Sequence, residues 1–524
     1  MDKLNTQKRI LIATLVSFAF FIAYDYFYLQ PKNEAAKELA QNNATTIKSQ
    51  DQNNQAPQTA HNTQNVAPIS VVNSSEIISK ITTKLAVIEI DNFGRIAQVT
   101  LSDPKYKLED KSQVKLFDAM QLRPLEVRFS ETATNTEAFK TNYVASSQSV
   151  DASSSATELI LTQQLSDSNV TKKFKFYPDG HYDFSITSTK QADFFVTTGF
   201  RPNVLADAYT IHGALLKQAD DTFTTVEDED LEKTQNIVGV KIASAFDRYY
   251  ATTIYNFKSP MNAFLMPDSS NSPQVFLAAK GSFEASGYMG PKDHELLKSI
   301  NPELTDIIEY GWFTFIAQPM FLFLQYLYNL TGNWGWAIVL LTIIVKLVLY
   351  PLSYKGMVSM QKLKELAPKI KDLQEKYKGD SQKLGMHMME LYKKHDANPM
   401  GGCLPIILQI PIFFAIYRVL LNAIELEGAE WILWIENLAV MDPFFILPIL
   451  MGATMFIQQK ITPTTIADPV QQKMFQWLPV IFTVFFLWFP AGLTLYWFVN
   501  NLFTVAQQYY INKVFEKRKT QKAA

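Results

Sequence analysis

An excess of charge of either sign is missing from this chain: 48 Lys and Arg stand against 50 Asp and Glu over 524 residues, a formal net charge of −2. Without a strongly basic domain it lacks the electrostatic footprint of a general nucleic-acid binder, so no direct nucleic-acid partner is expected. Cysteine is almost absent. The single Cys403 excludes an intrachain disulfide and any zinc site built on paired thiolates. No Gly-Lys-Ser/Thr phosphate loop, nucleophile elbow or His-Glu-x-x-His pair occurs, so ATP hydrolysis is not expected and no catalytic residue, metal or cofactor is assigned. Charged residues are themselves scarce, 19% against a usual ~25%, while aromatic residues reach 13%. The mean hydropathy of −0.03 would suit a soluble protein, and it averages over segments of opposite character. At ~100–200 residues per domain the length accommodates about three units.

Residues 1–29 carry Lys8 and Arg9 followed by an apolar run from Ile10 to Leu29. About twenty such residues suffice to cross a ~30 Å hydrocarbon layer as a helix. The aromatic cluster Tyr24-Asp25-Tyr26-Phe27-Tyr28 replaces the small-residue cleavage site of a signal peptide, so an uncleaved anchor is expected. Residues 30–75 are Gln, Asn, Ala, Thr and Lys, a composition that reads as a flexible periplasmic linker.

Over 76–305 the hydrophobic period is two. Ala86-Val87-Ile88-Glu89-Ile90, Leu159-Ile160-Leu161 and Lys173-Phe174-Lys175-Phe176 alternate, and Pro178-Asp179-Gly180 turns into Tyr182-Asp183-Phe184-Ser185-Ile186. Repeated short strands with such turns predict an all-β sandwich on the outer side of a membrane. The run Asp228-Glu229-Asp230 reads as a solvated loop, and His181, His212 and His294 share no ligand spacing.

From 306 to 331 apolar and aromatic residues recur at helical spacing around Pro319, Gln318 and Gln325, as expected of an interfacial amphipathic helix. A five-span α-helical bundle then occupies 332–512, with stretches at about 333–354, 402–424, 442–460, 474–490 and 491–511. The loop 355–400 holds ten lysines against six acids, whereas 425–441 holds four glutamates and no Lys or Arg. The positive-inside rule therefore places the lysine-rich loop and the short basic tail 513–524 in the cytoplasm, together with the N-terminus. Leu363, Leu366, Ile370 and Leu373, then Leu384, Met388 and Leu391, form two stripes of a cytoplasmic helical hairpin divided at Gly379-Asp380-Ser381.

Only Lys346 and Arg418 are charged well inside these stretches, and Arg418 lies near the outer end of its span. An intramembrane charge costs ~2.5–3.5 kcal/mol on insertion scales and usually faces a water-filled cavity. Lys346 stands eight residues from the expected cytoplasmic end of its helix. Thr342 shares its face, and Trp497, Asn501, Thr504 and Gln508 form a stripe on the last span. Convergence of these faces with Gln409 predicts a hydrated, positively charged groove. Interhelical hydrogen bonds that merely hold the bundle are the competing reading.

The motifs Gly332-Asn333-Trp334-Gly335-Trp336, Tyr350-Pro351-Leu352, Asn398-Pro399-Met400-Gly401-Gly402-Cys403-Leu404-Pro405, Gln409-Ile410-Pro411-Ile412-Phe413, Asp442-Pro443, Ile446-Leu447-Pro448, Thr462-Pro463-Thr464-Thr465, Asp468-Pro469, Leu478-Pro479-Val480 and Phe489-Pro490-Ala491-Gly492 occur in this order. In them the chain resembles the YidC family of membrane protein insertases, in its Gram-negative form. The resemblance implies a multi-pass bacterial inner-membrane protein with a periplasmic supersandwich. It implies a groove, open to cytoplasm and lipid, that receives nascent membrane proteins and promotes their insertion and folding, alone or with the Sec translocon and its accessory subunits. It further implies docking of the ribosome or targeting factors at the hairpin, and contact with the lipid bilayer. Lys346 matches a position usually occupied by arginine; Thr342 and Gln409 match groove-lining positions, to which the stripe adds Asn501. Phe413, Tyr496 and Trp497 match places where a substrate segment passes. A solute transporter or channel with a midplane polar site, and an envelope enzyme with its chemistry in the sandwich, are the alternatives from other classes. The first requires inverted repeats, which the spans do not show.

Overall fold

The computed structural model describes residues 76–108, 110–118, 120–204, 210–308, 310–377, 379–395, 404–462 and 469–523. The expected N-terminal anchor and linker, and the motifs around 398–403 and 463–468, lie outside the described residues.

The β region contains two sheets. In the small one, Ile77–Thr82 pairs antiparallel with Ala86–Asp91, which pairs with Ile96–Leu101, while Ser149–Asp151 adds a parallel edge. The large sheet has 13 strands. Its regular part is the antiparallel run Thr157–Gln164, Asn169–Phe176, His181–Ser188 and Ser282–Pro291. Alternation of buried and exposed residues along these strands follows directly from the period-two sequence pattern. Their inward faces supply Leu159, Leu161, Phe174, Phe176, Tyr182 and Phe184, which pack with Ile81, Ile88 and Ile96 of the small sheet in one core. At the predicted Pro178-Asp179-Gly180 turn, Gly180 has φ +88°, and a Cβ there would meet Leu85 Cδ2 at 2.8 Å. Glycine is therefore required both by the backbone and by the space.

The two sheets are tied by buried charges. Arg95 donates from Nε to Asp91 at 2.8 Å and from Nη1 to Glu126 at 2.7 Å, Arg123 bonds Asp91 at 2.7 Å, and Arg128 bonds Glu126 at 2.7 Å. Beside them Lys172 donates to the carbonyls of Gly94 and Leu125, and burial pushes its ammonium down to about 7. The acidic run at 228–230 is not wholly solvated: Asp228 is only partly exposed, accepts from Arg201 at 2.6 Å, and lies 3.2 Å from His212. A fully solvated acid does not need a cationic partner; this one is held by Arg201.

The helices are α1 (Thr132–Ala138), α2 (His294–Ile300), α3 (Thr314–Thr331), α4 (Trp334–Val348), α5 (Tyr350–Lys376), α6 (Ser381–Lys394), α7 (Leu404–Asn422), α8 (Ile446–Ile461), α9 (Pro469–Phe485) and α10 (Ala491–Ala523). Helix α3 buries Ala317, Phe321, Leu324 and Leu327 and exposes Phe315, Leu322, Tyr326 and Leu330 on its other side. Asn333 caps α4 by accepting from Trp336 N at 3.0 Å, and Asp380 caps α6 by accepting from Lys383 N at 3.1 Å. Helix α10 runs through the middle and packs on α4, α5, α7 and α8. Among the described residues no single helix is both long and apolar enough to cross a membrane; α4 and α5 meet that test only as a pair bent by 64°.

That bend sets where Lys346 lies along its helix. Pro351, in the first turn of α5, has no N–H to offer the preceding turn and its ring would clash with the carbonyl four residues back. Helix α4 ends at Val348, and Lys346 lies in its last turn, where the carbonyl end of the helix favours a cation.

Candidate functional site

The polar residues of the helical region converge on α10. Lys346 is 7% exposed, and its Nζ donates to Thr504 Oγ1 at 2.9 Å. Thr504 in turn donates to the carbonyl of Asn500 at 2.7 Å. Among the described residues no carboxylate pairs with Lys346. Thr342, one turn before it, does not join this pair: its hydroxyl donates at 2.7 Å to the carbonyl of Ile338 in its own helix.

Gln409 meets α10 through a residue that the stripe omits. Its Nε2 donates to Asn500 Oδ1 at 2.9 Å. Asn501 is buried with its Nδ2 unbonded, and Gln507 is buried with both amide atoms unbonded. Nearer the end of α10, Gln508 donates to Asn512 Oδ1 at 2.6 Å, Gln361 of α5 bonds the same oxygen, and Asn512 Nδ2 donates to the carbonyl of Ile461 at the end of α8. One helix thus carries amide contacts to α5, α7 and α8.

An aromatic cluster adjoins these amides. The ring of Phe413 meets Trp497 edge-on with centroids 4.6 Å apart, and Trp497 lies 5.4 Å from Phe486 and 6.1 Å from Phe482. The indole Nε1 of Trp497 is buried without a partner. Tyr496 is 2% exposed, and among the described residues its ring contacts neither Phe413 nor Trp497. Neighbours on a helix point ~100° apart, so both cannot face one cluster. The site therefore brings together Lys346, Gln409, Phe413 and Trp497 with α10; the Thr342 hydroxyl is bonded within its own helix, and Tyr496 is buried next to Trp497 in sequence without a ring contact to that cluster among the described residues.

Buried polar groups without partners are costly, ~1–3 kcal/mol each by mutational measures. Two amides and an indole N–H are in that state beside a cation, Lys346, whose one bond is to the Thr504 hydroxyl, so the bundle holds polar groups that its own described residues leave incompletely bonded. Among the described residues no group of three or more His, Cys, Asp or Glu is arranged to hold a metal ion.

The β region is joined to this bundle by a second polar contact. Arg248 Nε donates at 2.8 Å to the carbonyl of Leu421 in the last turn of α7. Just past that helix Glu425, buried, accepts from the backbone N–H of His294 at 3.0 Å. Burial, reinforced by the negative charge of nearby Asp293, pushes the Glu425 carboxyl up to about 7. Asp293 caps α2, accepts from Tyr106 at 3.1 Å and pairs with Lys105. Apart from Asp293 as a helix cap, these contacts carry no local sequence signal, because the partners lie more than a hundred residues apart.

A large β region joined to a helical bundle that holds a buried cation defines the class as a two-part protein with a β domain and a helical core. A family profile described as "60Kd inner membrane protein" matches residues 326–519, and one described as "YidC periplasmic domain" matches residues 79–323. The chain is 51% identical over 520 residues, 99% of its own length and 98% of the relative, to the membrane protein insertase YidC of Campylobacter jejuni. It is 51% identical over 531 residues to that of Wolinella succinogenes, covering 100% of this chain and 98% of the relative, and 45% identical over 550 residues to one of Helicobacter pylori, covering 99% and 98%. The chain belongs to the YidC family. Among solved structures, a crystal structure of an active YidC insertase with its first transmembrane domain resolved aligns over 85% of this chain and 95% of that one, at 19% identity and a TM-score of 0.38.

Proposed function

We propose that this protein is a membrane protein insertase and chaperone of the bacterial inner membrane that works without chemical turnover. The observation that carries this reading is Lys346: a buried ammonium held by a neutral hydroxyl, with no carboxylate partner among the described residues, beside amide and indole donors that are unbonded. Insertion of a nascent membrane protein needs such a place, where the polar flank of a substrate leaves water while its apolar segment enters lipid. The apolar segment supplies the driving force, roughly 25 cal/mol per Å² buried. The groove lowers the barrier for the flank, Lys346 attracts acidic tails, and the membrane potential draws those tails outward at ~2.3 kcal/mol per charge per 100 mV.

In this reading Gln409, Asn500, Asn501 and Thr342 line the groove, and Phe413, Trp497 and Tyr496 border the path of the substrate segment. The bundle has five core spans after an N-terminal anchor, with both termini in the cytoplasm and the sandwich in the periplasm. Helix α3 lies along the outer leaflet, and the α5–α6 hairpin offers ribosomes or targeting factors a basic surface. The protein acts alone or beside the Sec translocon.

The test is photocrosslinking from position 413 or 497 to a stalled nascent membrane protein. Adducts from both, and none from the outward-facing Leu502, are expected. Adducts from Leu502 alone, or uptake of small solutes by proteoliposomes containing only this protein, would overturn the reading.

A further inference from the structure

Two turns in the loop between α7 and α8 hold large apolar side chains in the left-handed backbone region, where a Cβ is disfavoured: Leu433 at φ +55° and Phe445 at φ +56°. Neither residue gains shelter from this conformation. Leu433 is 82% exposed, with Ile432, Met441, Phe444 and Phe445 exposed around it. Strained backbone persists only where its surroundings over-determine it. Here the fastening is Asp442, 1% exposed, whose Oδ1 accepts from the indole N–H of Trp434 and the backbone N–H of Phe444, each at 3.0 Å, and whose Oδ2 accepts from Leu447 N at 2.6 Å. One buried carboxylate thus closes the second turn and ties it to the indole beside the first, which its own backbone closes through Trp431 N to the Ile435 carbonyl at 2.9 Å and Ile435 N to the Ile432 carbonyl at 3.2 Å; both turns present their apolar tips outward.

Level and length identify what covers them. Trp431, next to the first tip, packs on the first turn of α4: a Cβ at Gly335 would lie 2.1 Å from its ring, and it meets Trp336 edge-on at 5.8 Å. The side chain of Asn333 donates to the carbonyls of Glu430 and Trp431, so the loop is pinned at the mouth of that helix. Helix α8 begins directly after Phe445 and has 16 residues, ~24 Å at 1.5 Å per residue, against a hydrocarbon thickness of ~30 Å. Lys460 in its last turn fixes the other end at the headgroups, so the missing apolar depth falls at the end that carries Phe444 and Phe445. The exposed Ile449 and Leu450 of α8 continue the same surface downward. Residues 425–445 contain no Lys or Arg, which excludes docking through lipid phosphates.

We propose that the Ile432-Leu433 and Phe444-Phe445 turns are a lipid-docking surface, embedded in the hydrocarbon of the outer leaflet, that completes the span of the short helix α8 and anchors the outer end of the bundle. The proposal rests on the membrane orientation given above, and its test separates the two.

Single cysteines at 433, 444, 449 and 270, each in the full chain with Cys403→Ser, are labelled with an environment-sensitive fluorophore and reconstituted into phosphatidylethanolamine and phosphatidylglycerol vesicles containing brominated lipid. Labels at 433 and 444 are expected to emit at apolar wavelengths and to be quenched by shallow bromines, while Ser270, exposed on a sandwich turn, stays aqueous and unquenched. Asp442→Ala should weaken quenching at 444, whose turn the carboxylate closes, while leaving the label at 449 quenched, which distinguishes release of that turn from unfolding. Aqueous emission at 433 and 444 with quenching at 449 would overturn the docking surface and mean that the bilayer thins around α8. Apolar emission without quenching would also overturn it, because a protein partner would then cover the turns. An aqueous label at 449 would instead overturn the orientation itself.

Discussion

Replacing Lys346 by methionine should make the protein more stable and less able to insert its substrates. The two effects have one cause. Methionine keeps much of the aliphatic stem and removes a charge whose placement in a membrane costs ~2.5–3.5 kcal/mol. Against that stands one hydrogen bond from a charged donor, Lys346 to Thr504 at 2.9 Å, of the kind worth ~1.5–3 kcal/mol. Thr504 is not stranded by the change, because its own proton already goes to the Asn500 carbonyl. Taking central values, the native state gains about 1 kcal/mol. For a helical region of this size that raises the melting midpoint by about 2–4 °C. The measurement is thermal denaturation of the purified full-length protein in lipid nanodiscs, beside in vivo insertion of a single-span substrate at matched protein levels. Lys346→Arg should leave insertion near the original level and serves as the charge-preserving control. A melting point that falls in the methionine variant would refute the reasoning, since Lys346 would then be a strut whose bond outweighs its burial. Full insertion activity in the methionine variant would refute it equally.

Two further outcomes follow from charges in the outer region. Glu425 is raised from an ordinary 4.5 to about 7, so the native state keeps a proton that the unfolded chain loses between those values. Its contribution is therefore most favourable below pH 4.5, declines as pH rises to about 7, and is level above. Glu425→Gln should raise stability at pH 8 by up to about 3 kcal/mol and have little effect at pH 4.5; equal effects at both would show that Asp293, Lys105, Tyr106 and His294 around it compensate the charge. In the sandwich, Glu126→Ala removes the carboxylate shared by Arg95 and Arg128 and should cost ~3–5 kcal/mol in denaturant unfolding of the full-length protein. A loss below ~1 kcal/mol would mean that the buried cations find other partners.

Much of the architecture is carried by neighbouring residues and was legible for that reason. Alternation at Lys173-Phe174-Lys175-Phe176 sets which side of a strand is buried, and Gly180 marks the one position where the turn needs a left-handed residue. The apolar stretches, the lysines of the hairpin, the break and cap at Gly379-Asp380-Ser381, and the isolation of Lys346 are likewise local properties, because period, capping and charge are read within a few residues.

What the tertiary structure decided is which of these residues meet. Asn500 and Asn501 are adjacent, yet about 100° of helix rotation separates them, and only the packing of α7 on α10 selects Asn500 for Gln409. Helical period placed Thr342 beside Lys346, whereas the hydroxyl turns back to Ile338 and Thr504, 158 residues away, takes the ammonium. The bend at Pro351, which ends α4 at Val348 and leaves Lys346 in its last turn, is not registered by an apolar count. The joint between sandwich and bundle, Arg248 with Leu421 and His294 with Glu425, bridges separations of 173 and 131 residues. Contacts at such distances depend on the azimuth and crossing of whole elements, so sequence determines the faces and only assembly determines the pairs.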